Sequence, residues 1–265
     1  MLRISEHFYS IQGEGASVGA PAYFIRLQGC NLMCGGSKGK LVQEGKATWW
    51  CDSEKIWKQG NKFVNEDLVD CFKDQNLLNR ILTGQIHLVW TGGEPTMACH
   101  VSGILSFIQY INELYPQNFL YNEIETNGTL VVPDYFYFDK LVKDGCGYKF
   151  EREAVIDQIN CSPKLANSGI DRDIRINPEA IEQIKRHENG WFKFVISTEE
   201  DISEIQNEWI IPFELDPSKI IIMPGVDNRD DLAERTRFLF EMTKKYGYRG
   251  VTRCHILAWD RTCGV

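Results

Sequence analysis

The chain has 265 residues, of which 43% are hydrophobic and 25% are charged, proportions typical of a globular protein. This length suffices for one large α/β domain or two ordinary domains, with a core that needs no disulfide bonds. The net charge of −8 argues against extended contact with nucleic acid or an anionic membrane, whereas a small anionic substrate needs only a local basic cluster.

The beginning of the chain has no apolar run of the signal-peptide kind. No stretch approaches the roughly 20 apolar residues of a transmembrane helix, and we therefore expect a cytoplasmic protein. The cytosol keeps thiols reduced, so the nine cysteines are not expected to form a disulfide framework. Their odd number also excludes complete internal pairing. We therefore favour binding of a metal or an iron–sulfur cluster over disulfide formation for these cysteines.

Short β-rich runs alternate with helical patterns along the chain. Residues 21–28 predict a first strand, and 35–50 predict a loop insertion because it opens with glycines, serine and lysines. Asn65 is predicted to cap a helix that extends to about Leu82. Later strands are predicted at 86–90, 119–125, 154–160, 192–197, 219–223 and 250–257. Later helices are predicted at 101–114, 177–187 and 229–246.

Strands that alternate with helices predict parallel βαβ units. Parallel sheets are buried on both faces, which suits the unbroken apolar strands at 86–90 and 220–223. About six strands are too few for a closed eight-stranded barrel. The sequence therefore predicts an α/β fold, an open and partial parallel β/α barrel that forms a single domain over 1–265. In such folds functional residues gather where the strands end.

Three cysteines follow the first predicted strand. Three residues separate Cys30 from Cys34, and 16 residues separate Cys34 from Cys51. Thiolates are natural ligands for iron–sulfur clusters, and three ligands on a four-iron cube leave one iron open for a cofactor. Two alternatives remain open on spacing alone. One is a zinc site, although no histidine stands at the expected distance, and the other is cysteines buried in a core.

Further motifs, taken together and in their order, are similar to those of one family. They are Gln12–Gly15, Phe24–Cys30, Cys51–Ser53, Thr91–Pro95, Glu125–Gly128, Ser162–Lys164 and Trp259–Val265. By these motifs the chain resembles the 7-carboxy-7-deazaguanine synthases of the radical S-adenosylmethionine (SAM) superfamily over essentially its whole length. The superfamily has two residues between its second and third cysteines where this chain has 16. An insertion in the loop preserves the ligand set, because loop entropy grows slowly with length.

The resemblance implies a radical SAM partial barrel with a 4Fe–4S cluster on Cys30, Cys34 and Cys51. It implies a lyase that contracts the ring of 6-carboxy-5,6,7,8-tetrahydropterin to 7-carboxy-7-deazaguanine and releases ammonia, in queuosine-type 7-deazapurine biosynthesis. It also implies Mg²⁺ bound through Ser53, an electron donor of the flavodoxin or ferredoxin type, and a homodimer. Neither nucleic acid nor a membrane is an expected partner. No general acid or base is named.

The resemblance also implies individual site residues at strand ends and in loops. For SAM they are Trp50, Asp52, Gly92, Gly93, Glu94, Glu125, Ser162, Lys164, Met223 and Pro224. For the substrate they are Ile11, Gln12, Gly13, Glu14, Arg26, Thr91, His255 and Val265. A guanidinium suits the substrate carboxylate, a carboxylate can accept from pterin N–H groups, and glycines permit close approach. Which of Glu14, Glu125 and His255 faces substrate rather than SAM stays open.

Two other functions remain as alternatives. A glycyl-radical activase must fit a protein loop, and the Gln12–Gly15 segment and the C-terminal tail argue against it. A non-catalytic zinc-binding protein would be colourless, whereas an oxidised 4Fe–4S cluster is brown. The other six cysteines match no family role and are interpreted as structural or incidental. They are Cys71, Cys99, Cys146, Cys161, Cys254 and Cys263.

Overall fold

The computed structural model describes residues 1–131, 137–144, 147–262 and 264–265, with backbone alone over 137–144 and 147–154. Cys146 and Cys263 lie outside the described residues. The strands of the described ranges are β1 Leu2–Ile11, β2 Pro21–Leu27, β3 Asn61–Phe63, β4 His87–Gly92, β5 Asn122–Thr126, β6 Tyr137–Asp144, β7 Gly147–Ala154, β8 Gln158–Cys161, β9 Gly190–Ile196, β10 Ile220–Pro224 and β11 Arg249–Gly250.

Helices occupy most of the connections between these strands. They are α1 Lys40–Gln43, α2 Glu54–Trp57, α3 Asn65–Asp74, α4 Leu78–Leu82, α5 Ala98–Leu114, α6 Arg172–Arg175, α7 Pro178–Arg186, α8 Glu200–Glu204, α9 Ile211–Phe213, α10 Arg229–Tyr246 and α11 Cys254–Trp259. One turn of π-helix, Ile205–Ile210, joins α8 to α9. Short 3₁₀ helices lie at Ser37–Gly39, Ala166–Ser168 and Pro217–Lys219. No helix of the described residues is long and apolar enough to cross a membrane.

Nine strands form one open sheet in the order β11-β10-β9-β8-β5-β4-β2-β1-β3, and β6 pairs with β7 as a separate antiparallel sheet. Every neighbouring pair from β2 to β11 is parallel. The strands β1 and β3 extend the sheet antiparallel beyond β2. The predicted α/β fold with about six parallel strands is confirmed, since β2, β4, β5, β8, β9 and β10 form the parallel part and β11 adds only two residues.

The two faces of the parallel strands differ in chemistry, because successive side chains of a strand point to opposite faces. Trp90 and Ile124 pack with the helices in the main core, where Trp90 meets Phe107 with ring centroids 5.6 Å apart. Burial of a side chain of this kind stabilises the fold by about 1.5–3 kcal/mol. Thr91 and Glu125 alternate with these residues and lie on the opposite, polar face. The predicted site residues of these strands therefore lie on the polar face.

The predicted helix from Asn65 to Leu82 is wrong as one element, because the chain breaks it after Asp74. Asn76 takes a left-handed conformation with φ 58°, which asparagine tolerates better than most residues. The break turns Leu77, 7% exposed, into the core before α4 begins. The N-cap is also one residue earlier than predicted: the backbone N–H of Val64 donates to Asp67 Oδ2 at 2.8 Å.

Three further elements differ from the sequence prediction. The strand β1 precedes the predicted first strand and pairs with it antiparallel. The predicted strand 250–257 is wrong: β11 ends at Gly250, and α11 begins at Cys254 because Ile256 turns to pack in a small cluster beside Val226 and Leu232. The predicted loop 35–50 contains a 3₁₀ turn and α1.

Candidate active site

The three predicted cluster ligands lie together at the carboxyl end of β2. The backbone N–H of Cys51 donates to the carbonyl of Cys34 at 3.2 Å, so the 16-residue gap leaves this loop and returns to it. The backbone of Gly35 in turn donates to Ser168 at 2.8 Å, which anchors the insertion on the loop after β8. Cys34 is buried, and Cys30 and Cys51 are half-buried. Chain folding therefore returns the backbone of Cys51 to that of Cys34 despite the 16-residue gap.

The environment of the thiols fits ligands of an iron–sulfur cluster. Burial raises the pKa of Cys30 to about 11 and also raises the pKa of Cys34, while the ammonium of Lys164 opposes both shifts. The backbone N–H of Leu32 donates to Cys30 Sγ at 3.4 Å, and Asn127 Nδ2 lies 3.9 Å from the same sulfur. Such donors stabilise cluster-bound thiolates and tune their potential. In the part of the chain that is described, no group of three or more His, Cys, Asp or Glu side chains is placed to hold a metal ion.

Gly92 and Gly93 hold the end of β4 against the cysteine loop. A Cβ at Gly93 would lie 1.4 Å from the carbonyl oxygen of Gly29, and one at Gly92 would lie 2.3 Å from the nitrogen of Leu27. Gly92 also has φ +106°, a conformation that side chains disfavour. The close approach that these glycines permit is therefore first of all to the chain's own backbone beside Cys30.

Glu94 joins the loop after β4 to the loop after β5. Its side chain is 0% exposed. Oε1 accepts from the backbone and hydroxyl of Thr96, at 3.0 and 2.6 Å, and from the hydroxyl of Thr126 at 2.7 Å. Oε2 accepts from the backbone of Asn127 at 2.7 Å. Four protein donors therefore engage the carboxylate of Glu94, which joins the two loops as part of the framework.

Glu125 is held on the polar face by two of the predicted substrate residues. Gln12 Nε2 donates to Glu125 Oε1 at 3.1 Å, and the hydroxyl of Thr91 donates to Glu125 Oε2 at 2.7 Å. The same Gln12 nitrogen donates to Glu123 Oε1 at 2.8 Å. Because Gln12 is 1% exposed, its side chain orients the two carboxylates, and the half-buried Glu125 is the one of the pair that remains accessible.

A network of charged side chains occupies the rim of the polar face. Glu14 Oε2 lies 2.5 Å from Lys193 Nζ, and Glu14 Oε1 lies 3.2 Å from Arg253 Nη2. The same Arg253 nitrogen lies 2.7 Å from Asp52 Oδ2. His255 packs against Gly13, where an added Cβ would lie 2.1 Å from Nδ1 of the imidazole. The predicted residues Gly13, Glu14, Asp52 and His255 are thus brought together.

Mutual compensation keeps this network ionised. Burial by itself would raise the pKa of Glu14, but the cations of Lys193 and Arg253 outweigh it and hold that pKa well below its usual range. Burial would likewise lower the pKa of Lys193 and of Arg253, and the neighbouring carboxylates raise both instead. For His255 burial prevails, so its pKa is lowered despite the nearby Glu14. Paired charges of this kind avoid the cost of an isolated buried ion.

Lys164 and Ser162 lie beside the insertion. Lys164 Nζ donates to Ser162 Oγ at 3.0 Å and stands 5.7 Å from the ring centroid of Trp49. Trp49 Nε1 donates to Asn167 Oδ1 at 2.8 Å, which fixes the ring. Trp50, the predicted SAM contact, packs on Gly39 within the insertion and is 38% exposed. The tryptophan that the structure places beside Lys164 is therefore Trp49.

The structure also places the remaining predicted residues. Arg26 Nε is 3.0 Å from Glu6 Oε1, and its guanidinium lies over the ring of Phe8. Ser53 Oγ is 3.5 Å from Cys51 Sγ and makes no side-chain cap of α2. The others are found at the end of β1, at the end of β10 and at the half-buried chain end: Ile11, Met223, Pro224 and Val265.

Several site residues were not predicted from the sequence. Lys193 carries a usable signal, because it is a lysine in the middle of the otherwise apolar strand β9. Glu123 shares its face with Glu125 two positions later, a period that a strand prediction could have used. Arg253 was hidden by the wrong strand prediction at 250–257. Asn160, which donates to Glu123 and accepts from the backbone of Ala16 at 3.2 Å, carries no local signal.

Comparison with known proteins finds full-length relatives. No family model matches the chain. The 7-carboxy-7-deazaguanine synthase of Pyrobaculum aerophilum is 26% identical over 99% of this chain and 97% of its own length. That of Aquifex aeolicus is 28% identical over 96% of this chain and 92% of its own, and that of Halobacterium salinarum is 24% identical over 98% and 91%.

A solved structure shares the fold. The crystal structure of QueE from Escherichia coli superposes with a TM-score of 0.61, at 21% identity, over 96% of this chain and 94% of that one. At this identity the likeness shows the fold, and it confirms the predicted open α/β sheet. The full-length sequence relatives confirm the resemblance that the scattered motifs predicted.

Proposed function

We infer that this chain is a 7-carboxy-7-deazaguanine synthase of the radical SAM superfamily, which converts 6-carboxy-5,6,7,8-tetrahydropterin to 7-carboxy-7-deazaguanine and releases ammonia. One observation carries the inference: full-length relatives are named for this activity. The geometry supports it, because the backbone of Cys51 hydrogen-bonds to that of Cys34 beyond β2, and Gly93 lies against the backbone of Gly29 and Cys30. That edge of a parallel sheet is where such folds place their chemistry.

The cluster side of the site is assigned to Cys30, Cys34 and Cys51. With SAM bound, the cluster would supply the radical that begins the ring contraction, and the protein supplies position and exclusion of water. Lys164, oriented by Ser162 and Trp49, is suited to the carboxylate of SAM. The backbone from Gly92 to Glu94 is suited to its amino group.

The substrate side is assigned to the polar face. Glu125 and Glu14 can accept hydrogen bonds from the amino and ring N–H groups of a pterin. The described contact of Arg26 with Glu6 uses Nε, so the outer nitrogens of this guanidinium can bind the substrate carboxylate in bidentate fashion. Gln12 and Thr91 support this set by holding Glu125. In this proposal Gln12 and Thr91 act on the substrate through Glu125, which they orient.

Four finer features belong to the proposal. Mg²⁺ would be bound at Ser53, whose hydroxyl makes no cap of α2 and whose chemistry suits a hard cation that keeps most of its waters. An electron donor of the flavodoxin or ferredoxin type, a homodimer and a cytoplasmic location complete it. The first three are carried by the resemblance, and the location is the expectation from the sequence. A magnesium titration of activity would test the first directly.

Anaerobic reconstitution tests the function. The chain would be loaded with iron and sulfide and incubated with SAM, dithionite, Mg²⁺ and 6-carboxytetrahydropterin, with mass spectrometry for 7-carboxy-7-deazaguanine. We expect product from the wild type and from Cys99→Ala, whose thiol is exposed and outside the site. We expect neither full iron content nor product from Cys51→Ala. A brown wild-type protein that cleaves SAM without this product would refute the substrate, and a colourless protein would refute the superfamily.

A further inference from the structure

The first residues of α11 lie directly on the predicted substrate loop. The backbone N–H of Cys254 donates to the carbonyl of Gly13 at 3.0 Å. The ring of His255 packs on Gly13 so closely that no other residue fits there. Arg253 immediately precedes the helix, and its side chain extends to Glu14 and Asp52. The C-terminal helix is therefore built into the site, although its residues were assigned to a strand from the sequence.

Arg253 joins three segments that each belong to a different part of the site. Its Nε and Nη2 donate to Glu14 Oε1, at 3.3 and 3.2 Å, in the substrate loop. Nη2 also donates to Asp52 Oδ2 at 2.7 Å, one residue after the third cysteine. Nη1 donates to the carbonyl of Val226 at 2.7 Å, just beyond the predicted SAM contacts at the end of β10. These four hydrogen bonds use a planar fork of donors that a lysine cannot reproduce.

We propose that Arg253 is a positioning residue that holds the substrate loop at a set distance from the cluster loop and from the segment after β10. The proposal rests on the function inferred above. Lys193 neutralises the second oxygen of Glu14, so the substrate loop is held between two cations while Asp52 balances the charge of Arg253. Burial would lower the pKa of Arg253, but the carboxylates of Glu14 and Asp52 raise it. The guanidinium therefore stays charged in this position.

The functional consequence follows from the distance that hydrogen transfer requires. A displacement of about 1 Å between reacting groups can lower a rate about 100-fold. Without Arg253, Glu14 keeps its ion pair with Lys193. Asp52 loses its partner, but its side chain is 55% exposed and is solvated by water. The substitution is therefore expected to leave the fold intact. The guanidinium then no longer connects Glu14 of the substrate loop with Asp52 of the cluster loop. Cleavage of SAM continues, but transfer to the substrate becomes less efficient.

The experiment compares Arg253→Gln and Arg253→Lys with the wild type, and uses Arg235→Gln as a matched control on an exposed arginine of α10. Three quantities are measured on the cluster-loaded protein without oxygen. They are 5′-deoxyadenosine released per 7-carboxy-7-deazaguanine formed, kcat/KM for the pterin, and the Kd of the pterin by calorimetry. Iron content and the melting midpoint are recorded for every variant.

For Arg253→Gln we expect about tenfold more 5′-deoxyadenosine per product and a fall in kcat/KM of about 10- to 100-fold. Arg253→Lys should lie between Gln and the wild type, because it keeps the charge and loses the fork. A lowered melting midpoint with an unchanged ratio of 5′-deoxyadenosine to product and an unchanged Kd would overturn the proposal, since a merely structural role moves only the midpoint.

Two further outcomes distinguish a failure of the proposed function from a failure of the role assigned to Arg253. Should the wild type make no 7-carboxy-7-deazaguanine, the proposed function fails before Arg253 is tested. If the wild type makes product and the variants match its ratio, only the role of Arg253 fails. Should Arg253→Gln not fold, Asp52→Asn removes one partner of the arginine from a mostly exposed side chain. It is expected to raise the same ratio, and an unchanged ratio overturns the proposal.

Discussion

Glu94 and Glu125 are both predicted SAM contacts, and the structure separates them by their hydrogen bonds. Glu94→Gln replaces one acceptor oxygen with an NH₂ group at a site that is 0% exposed. If the amide turns its NH₂ toward Asn127, it faces a backbone N–H at 2.7 Å. If it turns the other way, the NH₂ faces the backbone N–H of Thr96 at 3.0 Å and two hydroxyls. Either orientation sets donor against donor.

The cost can be worked out from these contacts. The less damaging orientation loses one charge-assisted hydrogen bond and leaves one buried donor unsatisfied, which together cost about 2–4 kcal/mol. For a chain of this size that lowers the melting midpoint by about 4–7 °C. Glu125→Gln is milder, because the hydroxyl of Thr91 can accept from the new NH₂ group instead of donating. We expect it to cost about 1 kcal/mol or less.

The assay pairs thermal unfolding of each variant with calorimetric binding of SAM and of the pterin. Glu94→Gln should lose stability and keep its ligand affinities in the folded fraction. Glu125→Gln should keep its melting midpoint within a few degrees and lose affinity or turnover. A Glu94→Gln protein that melts like the wild type but binds SAM poorly would show that this carboxylate contacts the cofactor, and the reasoning from hydrogen bonds would be wrong.

Two other predictions concern single contacts. Trp49→Ala should raise the Kd of SAM about 2- to 5-fold, the size of a cation–π contact, because Trp49 and not Trp50 stands by Lys164; an equal or larger effect of Trp50→Ala would contradict this. The pKa of Glu14 is depressed in the folded state, so its ion pairs stabilise the fold above its ordinary pKa near 4.5 and this contribution is lost as the pH falls through the depressed value. The difference in unfolding free energy between wild type and Glu14→Gln should therefore shrink in denaturant titrations as the pH is lowered below about 4.5, and a constant difference would refute the assignment.

The sequence by itself determined the fold class and the family resemblance. Alternation of apolar strands with helical patterns is a local signal, and it correctly predicted the parallel sheet with its main helices α5, α7 and α10. The motifs around the three cysteines and at the strand ends are also local. Their order along the chain was enough to predict the resemblance that the full-length relatives confirm.

Tertiary structure alone decided the partnerships of the buried charges. Lys193 meets Glu14 across 179 positions, and Arg253 meets the same residue across 239. No local pattern encodes such pairs, because a buried ion is tolerated only where the fold delivers its counter-charge. The same holds for Glu94, which four converging donors turn from an expected ligand contact into part of the framework. It holds for Cys51 as well, because only the packing of the insertion against the loop after β8 returns its backbone to that of Cys34.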